Sequence, residues 1–383
     1  MSARNTDEPG AAFAAWPGLP GGASPSAAPF QPAAAAGVRP QALLFETRPA
    51  APGRAVYAAL DLGTNNCRLL IARPSYDGFR VVDAFSRIVR LGEGLAITGR
   101  LSDAAIERAI DALKVCRLKL DQRGVMRAKL IATEACRSAA NGPAFIERVR
   151  REAGLALVVI DREREAFLAA AGCVSLADPA ARSIVLFDIG GGSTEIVWVR
   201  QALDGAGAAK QEVVTWASLP VGVVSLADRY GGIAVPPTLF EAMTAEVAAA
   251  LAPFAAAAKE APADAGFHLL GTSGTVTTVA GIHLNLTRYD RRRVDGMWMS
   301  AAEVDAVMAQ LLGMSFPERA ANGCIGADRA DLVLAGCAIF EAIRRAFPAE
   351  RVRIADRGLR EGLLMEMMHE DQAWAPARQQ AAR

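Results

Sequence analysis

Neither sign of charge dominates this 383-residue chain: 42 Lys and Arg stand against 41 Asp and Glu. A general polyanion binder of the nucleic-acid type is clearly basic, so any anionic partner must meet a local patch. Histidine is scarce, with three residues at 268, 283 and 369, too widely spaced for a His-based metal centre or triad. The six cysteines (67, 116, 136, 173, 324 and 337) include no C-x-x-C pair. That argues for buried free thiols in a reducing, cytoplasmic compartment and against disulfides or zinc. No apolar run approaches the ~20 residues that cross a bilayer, and the N-terminus lacks the basic stretch and apolar core of a secretory signal. The expectation is a protein with neither nucleic acid nor membrane as partner. Residues 1–52, rich in Ala, Pro, Gly and Ser, read as a disordered tail, and 375–383 as a frayed end.

What the chain does have is a repeat. DLGTNNCRLLIA (61–72) and DIGGGSTEIVWV (188–199) align without a gap, each residue 127 positions on from its counterpart, as Asp61 is from Asp188 and Gly63 from Gly190. Both follow a short apolar run and lead into another, which predicts a buried strand, a tight turn and a returning strand. Duplication at this spacing points to two similar domains that each present one loop to a shared cleft. The backbone N–H groups of Gly190, Gly191 and Gly192 can converge on one anion with no Cβ in the way, and the Ser193 and Thr194 hydroxyls extend that nest. In the first copy Thr64, Asn65 and Asn66 offer side-chain donors instead. Single turns of this composition are common, since Asn and Gly favour turns anyway. Two aligned copies are not.

Around the repeat, strands are expected at 55–61, 67–73 and 79–86, a helix at 102–122 with Ser102 as N-cap, and a buried strand at 129–133. A helix at 143–152 opening on Pro143, a strand at 157–160 and a helix at 162–176 complete the first unit. This β-β-β-α-β-α-β-α order is the ribonuclease-H-like arrangement. A second such series follows: strands 183–188, 194–199 and 211–219, helices 222–229 and 236–258, strand 268–271 and a helix from 274. Helices at 300–312 and 330–346, strand 352–355 and helix 359–369 close it. The expected fold class is α/β, with ribonuclease-H-like domains at 54–180 and 181–372 flanking a cleft and the last helix free to pack back on the first domain.

Several polar residues fall where chemistry could happen. GTSGTVTTVAG (271–281) opens a helix with N–H groups and hydroxyls suited to phosphate, although any capped βα turn looks similar. Arg137, beyond the strand end at 133, suits forked hydrogen bonding to phosphate, or else a surface salt bridge. Among Asp161, Glu163 and Glu165 a carboxylate could take a proton from water, but acids in a first helical turn are favoured by the helix dipole, and the residues alone favour that reading. Glu195 is an acid among apolar residues, so it needs a water, a cation or an Arg as partner. Asp61 and Asp188 end their strands where a hard Mg²⁺ could share phosphate oxygens. The run Tyr289 to Arg293 reads as a solvated basic loop, with guidance of a long anion as the alternative.

Taken together, DLGTNNCRLLI, the ATEACR segment with Asn141 beyond it, REAFLAAAG, FDIGGGSTEIV, LPVGVVSL, GTSGTVTT and ADRGLREGLL resemble the exopolyphosphatase / guanosine pentaphosphate phosphohydrolase (Ppx/GppA) family over about residues 54–370. That family lies in the wider fold group of actin, sugar kinases and heat-shock chaperone ATPases. The resemblance implies Glu165 as general base, Glu195 as the acid that helps place the attacking water, and Asp188 as the position associated with Mg²⁺. It implies Arg137 as a phosphate contact, and Asn65, Asn66, Gly191, Gly192 and Ser193 as phosphate-loop positions. The chain departs from it at Arg164, where Glu before Glu-Ala is frequent, and at Arg357, where Tyr precedes Gly-Leu-Arg-Glu-Gly. It also ends near the close of the second domain, which argues against tight processivity on very long polymer. The implied activity is Mg²⁺-dependent release of orthophosphate from the end of inorganic polyphosphate, with guanosine pentaphosphate (pppGpp) as the alternative substrate. A kinase of the same fold group and a non-catalytic polyphosphate or nucleotide sensor are weaker readings, and a homodimer stays open.

Overall fold

Both copies of the repeat begin on a central strand, and each central strand founds a sheet. The computed structural model describes residues 55–76, 78–203, 209–258 and 266–374; the expected tails at 1–52 and 375–383 lie outside them. The first unit runs β1 (Tyr57–Leu62), β2 (Asn66–Ser75), β3 (Gly78–Ile88), α1 (Leu95–Thr98), α2 (Asp103–Gln122), β4 (Arg127–Ala132), α3 (Glu134–Ser138), α4 (Gly142–Ala153), β5 (Val158–Val159) and α5 (Arg162–Cys173). Its sheet has the order β3-β2-β1-β4-β5. β1 pairs antiparallel with β2 and parallel with β4, and its two faces enter different cores, so Tyr57 to Leu60 are apolar without alternation. Ser102 caps α2 by accepting from the Ala105 N–H, and Ile106, Ile110, Leu113 and Leu120 recur at helical spacing on its buried face. α4 opens on Pro143 and stops at Gly154, whose φ of 63° ends the helix in the left-handed region.

The second unit repeats the plan. It runs β6 (Ser183–Ile189), β7 (Thr194–Leu203), β8 (Ala209–Leu219), α6 (Val223–Tyr230), α7 (Pro237–Ala257), β9 (Phe267–Thr272), α8 (Gly274–His283), α9 (Arg291–Val294), β10 (Trp298–Ser300), α10 (Ala301–Gly313), α11 (Phe316–Ala321), α12 (Val333–Ala346), β11 (Arg351–Ala355) and α13 (Leu359–Glu370). The sheet order is β10-β11-β9-β6-β7-β8, so β6, β7, β8, β9 and β11 take the places of β1, β2, β3, β4 and β5. One core lies between the first sheet and α2 and α4, and a larger one joins the second sheet to α7, α8, α10 and α12. α13 leaves the second sheet and packs Leu363, Leu364 and Met367 against Tyr57, Ala59 and Leu70 of the first.

Several features depart from the sequence expectation, among them the short helices α1, α3 and α11, which it does not contain. α7 is long and apolar enough, by length and composition, to cross a bilayer. It is rich in Ala, which carries its hydropathy without forming one long run of large side chains. Phe240, Met243, Val247, Leu251 and Phe254 seat one face of it in the second core. The run after Tyr289 is the short helix α9, in which Arg291 pairs with Glu361 at 3.1 Å while Arg292 and Arg293 are exposed. β10 is a three-residue edge strand, too short to leave a periodic signal.

Candidate active site

The two turns close with the same hydrogen bond. Gly63 N–H donates to the Asn66 carbonyl, and Gly190 N–H to the Ser193 carbonyl, both at 2.9 Å. Each loop is also tied from behind by the segment that follows the third strand of its sheet. Val89 and Arg90 N–H donate to Asn65 O at 2.9 and 3.0 Å, and Gly92 N–H to Thr64 O at 2.9 Å. In the second unit Val223 and Val224 N–H hold Gly190 O and Gly191 O at 3.0 and 2.8 Å. With those carbonyls occupied at the back, loop N–H groups and side chains are left to face forward.

The two loops meet. A Cβ on Gly191 would fall 2.9 Å from Thr64 Cβ and 3.0 Å from Asn65 N, and one on Gly222 would fall 2.4 to 2.5 Å from the Gly191 and Gly192 backbone. Only glycine permits such an approach. Thr64, Asn65, Asn66, Gly190 to Gly192 and Ser193 therefore line one cleft, with a volume of about 960 Å³ including its open mouth. Asp61, Arg68, Glu134, Glu165, Asp188, Glu195, Ser273 and Arg329 share its walls.

The walls hold more buried acid than their hydrogen bonds account for. Burial pushes the Asp188 carboxyl up to about 6, with Asp61 adding repulsion and Arg68 and Arg360 opposing it. Burial also raises Glu195, with Asp188 beside it, and raises Glu165, with Glu195 beside it. The Arg137 ion pair to Glu165, at 3.0 Å, opposes that rise and does not cancel it, because the carboxyl is almost wholly out of water. Asp61 Oδ1, Asn65 Oδ1, Asn66 Oδ1 and Ser273 Oγ are buried without a hydrogen-bond partner. Four orphaned oxygens in one cleft mark a place for a bound group that brings positive charge or donors of its own. Among the described residues, Arg68 and Arg329 have no ion-pair partner, and they supply the complementary charge.

Two expected phosphate contacts stand elsewhere. The Arg137 guanidinium gives its donors to Glu134, to Ile160 O at 2.7 Å and to Glu165, so it braces an acid of the cleft and is not part of the lining. Thr194 is fully buried, and its hydroxyl donates to Val221 O at 2.7 Å. In an extended strand neighbours face opposite ways, so Ser193 and Glu195 reach the cleft and Thr194 turns from it. Within the acidic run, Asp161 is the N-cap of α5 and accepts from Arg164 N–H, Glu163 is exposed, and only Glu165 enters the cleft. Within the protein Glu195 accepts from the Ser218 hydroxyl at 2.8 Å, and among the described residues no Arg pairs with it.

Arg68 carries no signal of its own, yet the alignment of the repeat sets it opposite Glu195. The registers agree: Asp61 pairs with Arg68 across β1 and β2, and Asp188 with Glu195 across β6 and β7. Ser273, in the 271–281 turn that suits phosphate, reaches the cleft as that pattern suggests, whereas Arg329 reaches it from a distant point of the chain and no local pattern singles it out. Ser273 holds φ 100°, a left-handed backbone that a Ser adopts only under constraint, at the start of α8.

The model of the Ppx/GppA phosphatase family matches residues 70–371. The chain belongs to this family. Exopolyphosphatase 2 of Mycobacterium tuberculosis is 33% identical over 299 residues, covering 75% of this chain and 89% of that protein. A guanosine-5'-triphosphate,3'-diphosphate pyrophosphatase of Aeromonas salmonicida is 28% identical over 314 residues, which is 82% of this chain and 59% of that protein. Among solved structures, an exopolyphosphatase from Cytophaga hutchinsonii aligns with a TM-score of 0.72 at 26% identity, over 82% of this chain and 98% of its own. The Aquifex aeolicus member of the family gives 0.65 at 29%, over 83% and 98%.

Proposed function

We propose that the protein is an exopolyphosphatase that hydrolyses the terminal phosphoanhydride bond of inorganic polyphosphate in the cleft between its two loops. The observation that carries this reading is the convergence of both loops on one cavity that also contains Glu165. Phosphoryl transfer needs positioning and charge stabilisation more than covalent chemistry, and opposed donor loops supply both. Thr64, Asn65 and Asn66 grip the chain from one side, and the N–H groups of Gly190 to Gly192 with Ser193 grip it from the other. Arg68 and Arg329 balance its charge. Glu165 accepts the proton of the attacking water; its Oε2 is engaged by Arg137, which leaves Oε1 for that water. Glu195, fixed by Ser218, orients the same water. The protons and charge then balance: the water oxygen bonds to the terminal phosphorus, the bridging P–O bond breaks, and Glu165 carries the proton away.

Among the described residues, no three His, Cys, Asp or Glu lie close enough to hold an ion by themselves. Two aspartates at the cleft wall, Asp61 with an orphaned oxygen and Asp188 raised by burial, nevertheless suit Mg²⁺, which takes one or two carboxylates and completes its shell with water and phosphate oxygens. Asp61 and Asp188 would hold it, and it would supply neutralisation of phosphoryl charge. Six buried free thiols accord with a reducing, cytoplasmic setting.

The relative from Aeromonas favours a second substrate, pppGpp, by its name, while the relative named exopolyphosphatase matches over the larger share of its own length. Orthophosphate release should be measured in parallel on short polyphosphate, long polyphosphate and pppGpp, with and without Mg²⁺. Faster release from polyphosphate, lost in chelator, is the expected result. Release from pppGpp alone would transfer the assignment to the alternative, and release from none would end the hydrolase reading.

A further inference from the structure

Arg90 lies outside the cleft lining, yet it touches both of its sides. Its backbone N–H, with that of Val89, holds the Asn65 carbonyl, so the main chain at Arg90 fixes the first phosphate loop. Its guanidinium reaches into the other half of the molecule. Nη1 and Nη2 bind the two oxygens of Asp331 at 2.8 Å each, and Nη2 also donates to Asp328 O at 2.9 Å. Asp328 and Asp331 bracket Arg329, the cation on the opposite wall of the cleft. Gly94 N–H adds a second tie four residues on, to Asp228 Oδ2 at 2.9 Å, where α1 packs on α6.

A solvent-exposed ion pair contributes little, and that is the bland account of this contact. Three features separate Arg90 from it. The pair is forked, which fixes angle as well as distance. The same guanidinium closes on a backbone carbonyl of the turn it holds. Arg90 also adopts φ 46°, a left-handed backbone that non-glycine residues take only where surroundings impose it. Here the surroundings are the Asn65 carbonyl on one side and Arg108, whose Nε donates to Val89 O at 2.9 Å, on the other.

We propose that Arg90 is a positioning residue: a strap that ties the Thr64–Asn65 loop to the Arg329 turn, so that the two walls gripping the phosphate chain close as one unit. The proposal rests on the hydrolase reading for its kinetic expression and not for its structural one. Glu165 stands on α5 and is held by Arg137, which shares no partner with the Arg90 guanidinium, so loss of the strap weakens capture and spares the chemical step.

The kinetic test uses the full-length protein and tripolyphosphate with Mg²⁺. Arg90→Ala should raise KM roughly 10-fold with kcat within about twofold, and Arg90→Lys, which keeps the charge and loses the fork, should fall between. Arg90→Asp alone sets like charges face to face and should be worse. Paired with Asp331→Arg it should recover KM to within roughly threefold of the wild type, as expected of a restored ion pair. The structural test needs no turnover. Spin labels at Ile97→Cys and Ile233→Cys, both exposed positions flanking the strap, should report a longer and broader distance distribution in Arg90→Ala. An unchanged KM in Arg90→Ala, a charge swap no better than Arg90→Asp, or an unchanged label distance would each overturn the strap. A wild type that releases no phosphate yet shows the distance change would sink the hydrolase reading and leave the strap standing.

Discussion

Loop 63–66 and loop 190–193 have the same closing hydrogen bond and the same strand register, each is tied behind by the segment after its third strand, and they carry different chemistry. The first offers side chains, Thr64, Asn65 and Asn66, and follows them with the cation Arg68. The second offers bare backbone, Gly190 to Gly192, and follows it with the acid Glu195. The glycines of the second loop make room for the side chains of the first, as the near-contact of Gly191 with Thr64 shows. Duplication supplied one frame twice, and the site arises because the two copies diverged at matched positions. A symmetrical pair would have put either two cations or two acids at the Arg68 and Glu195 registers. The divergent pair sets a cation on one wall of the cleft and an acid on the other.

The second loop is most vulnerable at its backing. Gly222→Ala places a Cβ within 2.4 to 2.5 Å of the Gly191 and Gly192 backbone, which cannot yield as a side-chain tip could. We expect phosphate release to fall by roughly 100-fold or more, with a loss of about 1–3 kcal/mol in chemical denaturation. Next in size is Arg137→Gln. Burial first, and Glu195 second, already raise the Glu165 carboxyl, and Arg137 opposes them. Removing that cation raises Glu165 further, so the acid limb of the kcat profile should move to higher pH, with activity at pH 7 down about 10-fold. A direct phosphate contact would instead raise KM and leave the limb in place.

Asp188→Asn sharpens the electrostatic half of the comparison. The folded state raises this carboxyl from its ordinary 3.8 to about 6, so its protonated form favours folding. That contribution is complete below the unfolded value and is lost as pH rises through about 6. A permanently neutral Asn should therefore match the wild type near pH 4 and exceed it at pH 8, in chelator. A dry carboxyl would give roughly 3 kcal/mol, but Asp188 is partly open to the cleft and the gain should be nearer 1. Equal stability at both pH values would remove the account of the acid cluster. The smallest effect is expected at Thr194→Val, which deletes the hydrogen bond to Val221 O. It should cost about 1 kcal/mol in thermal unfolding and leave phosphate release within about twofold.

Much of this architecture is legible in the sequence. The paired loops could be read because a Gly turn between apolar runs is a short-range signal, and a repeat doubles it. Helix α2 was visible from its Ser102 cap and spaced apolar residues. Arg137 is not legible as a brace, because α3, five residues long, leaves no period to read, yet it sets Glu134 three residues before Arg137 and lets the acid claim the guanidinium. Thr194 follows the loop directly but is the first residue of β7, where alternation along the strand turns it inward. Arg68 needed only the step from matched loops to matched strands. Arg329 and the strap at Arg90 depend on how distant segments meet, and a pattern within one segment holds no record of that.

The central claim is that Glu165 takes the proton of the attacking water inside a cleft built by both loops. Single-turnover hydrolysis by Glu165→Gln, with binding of the same phosphate chain measured separately by calorimetry, tests it most directly. We predict a chemical step slower by roughly 10²- to 10⁴-fold and an affinity within about threefold of the wild type. A near-normal chemical step, or a loss of affinity that matches the loss of rate, would contradict it.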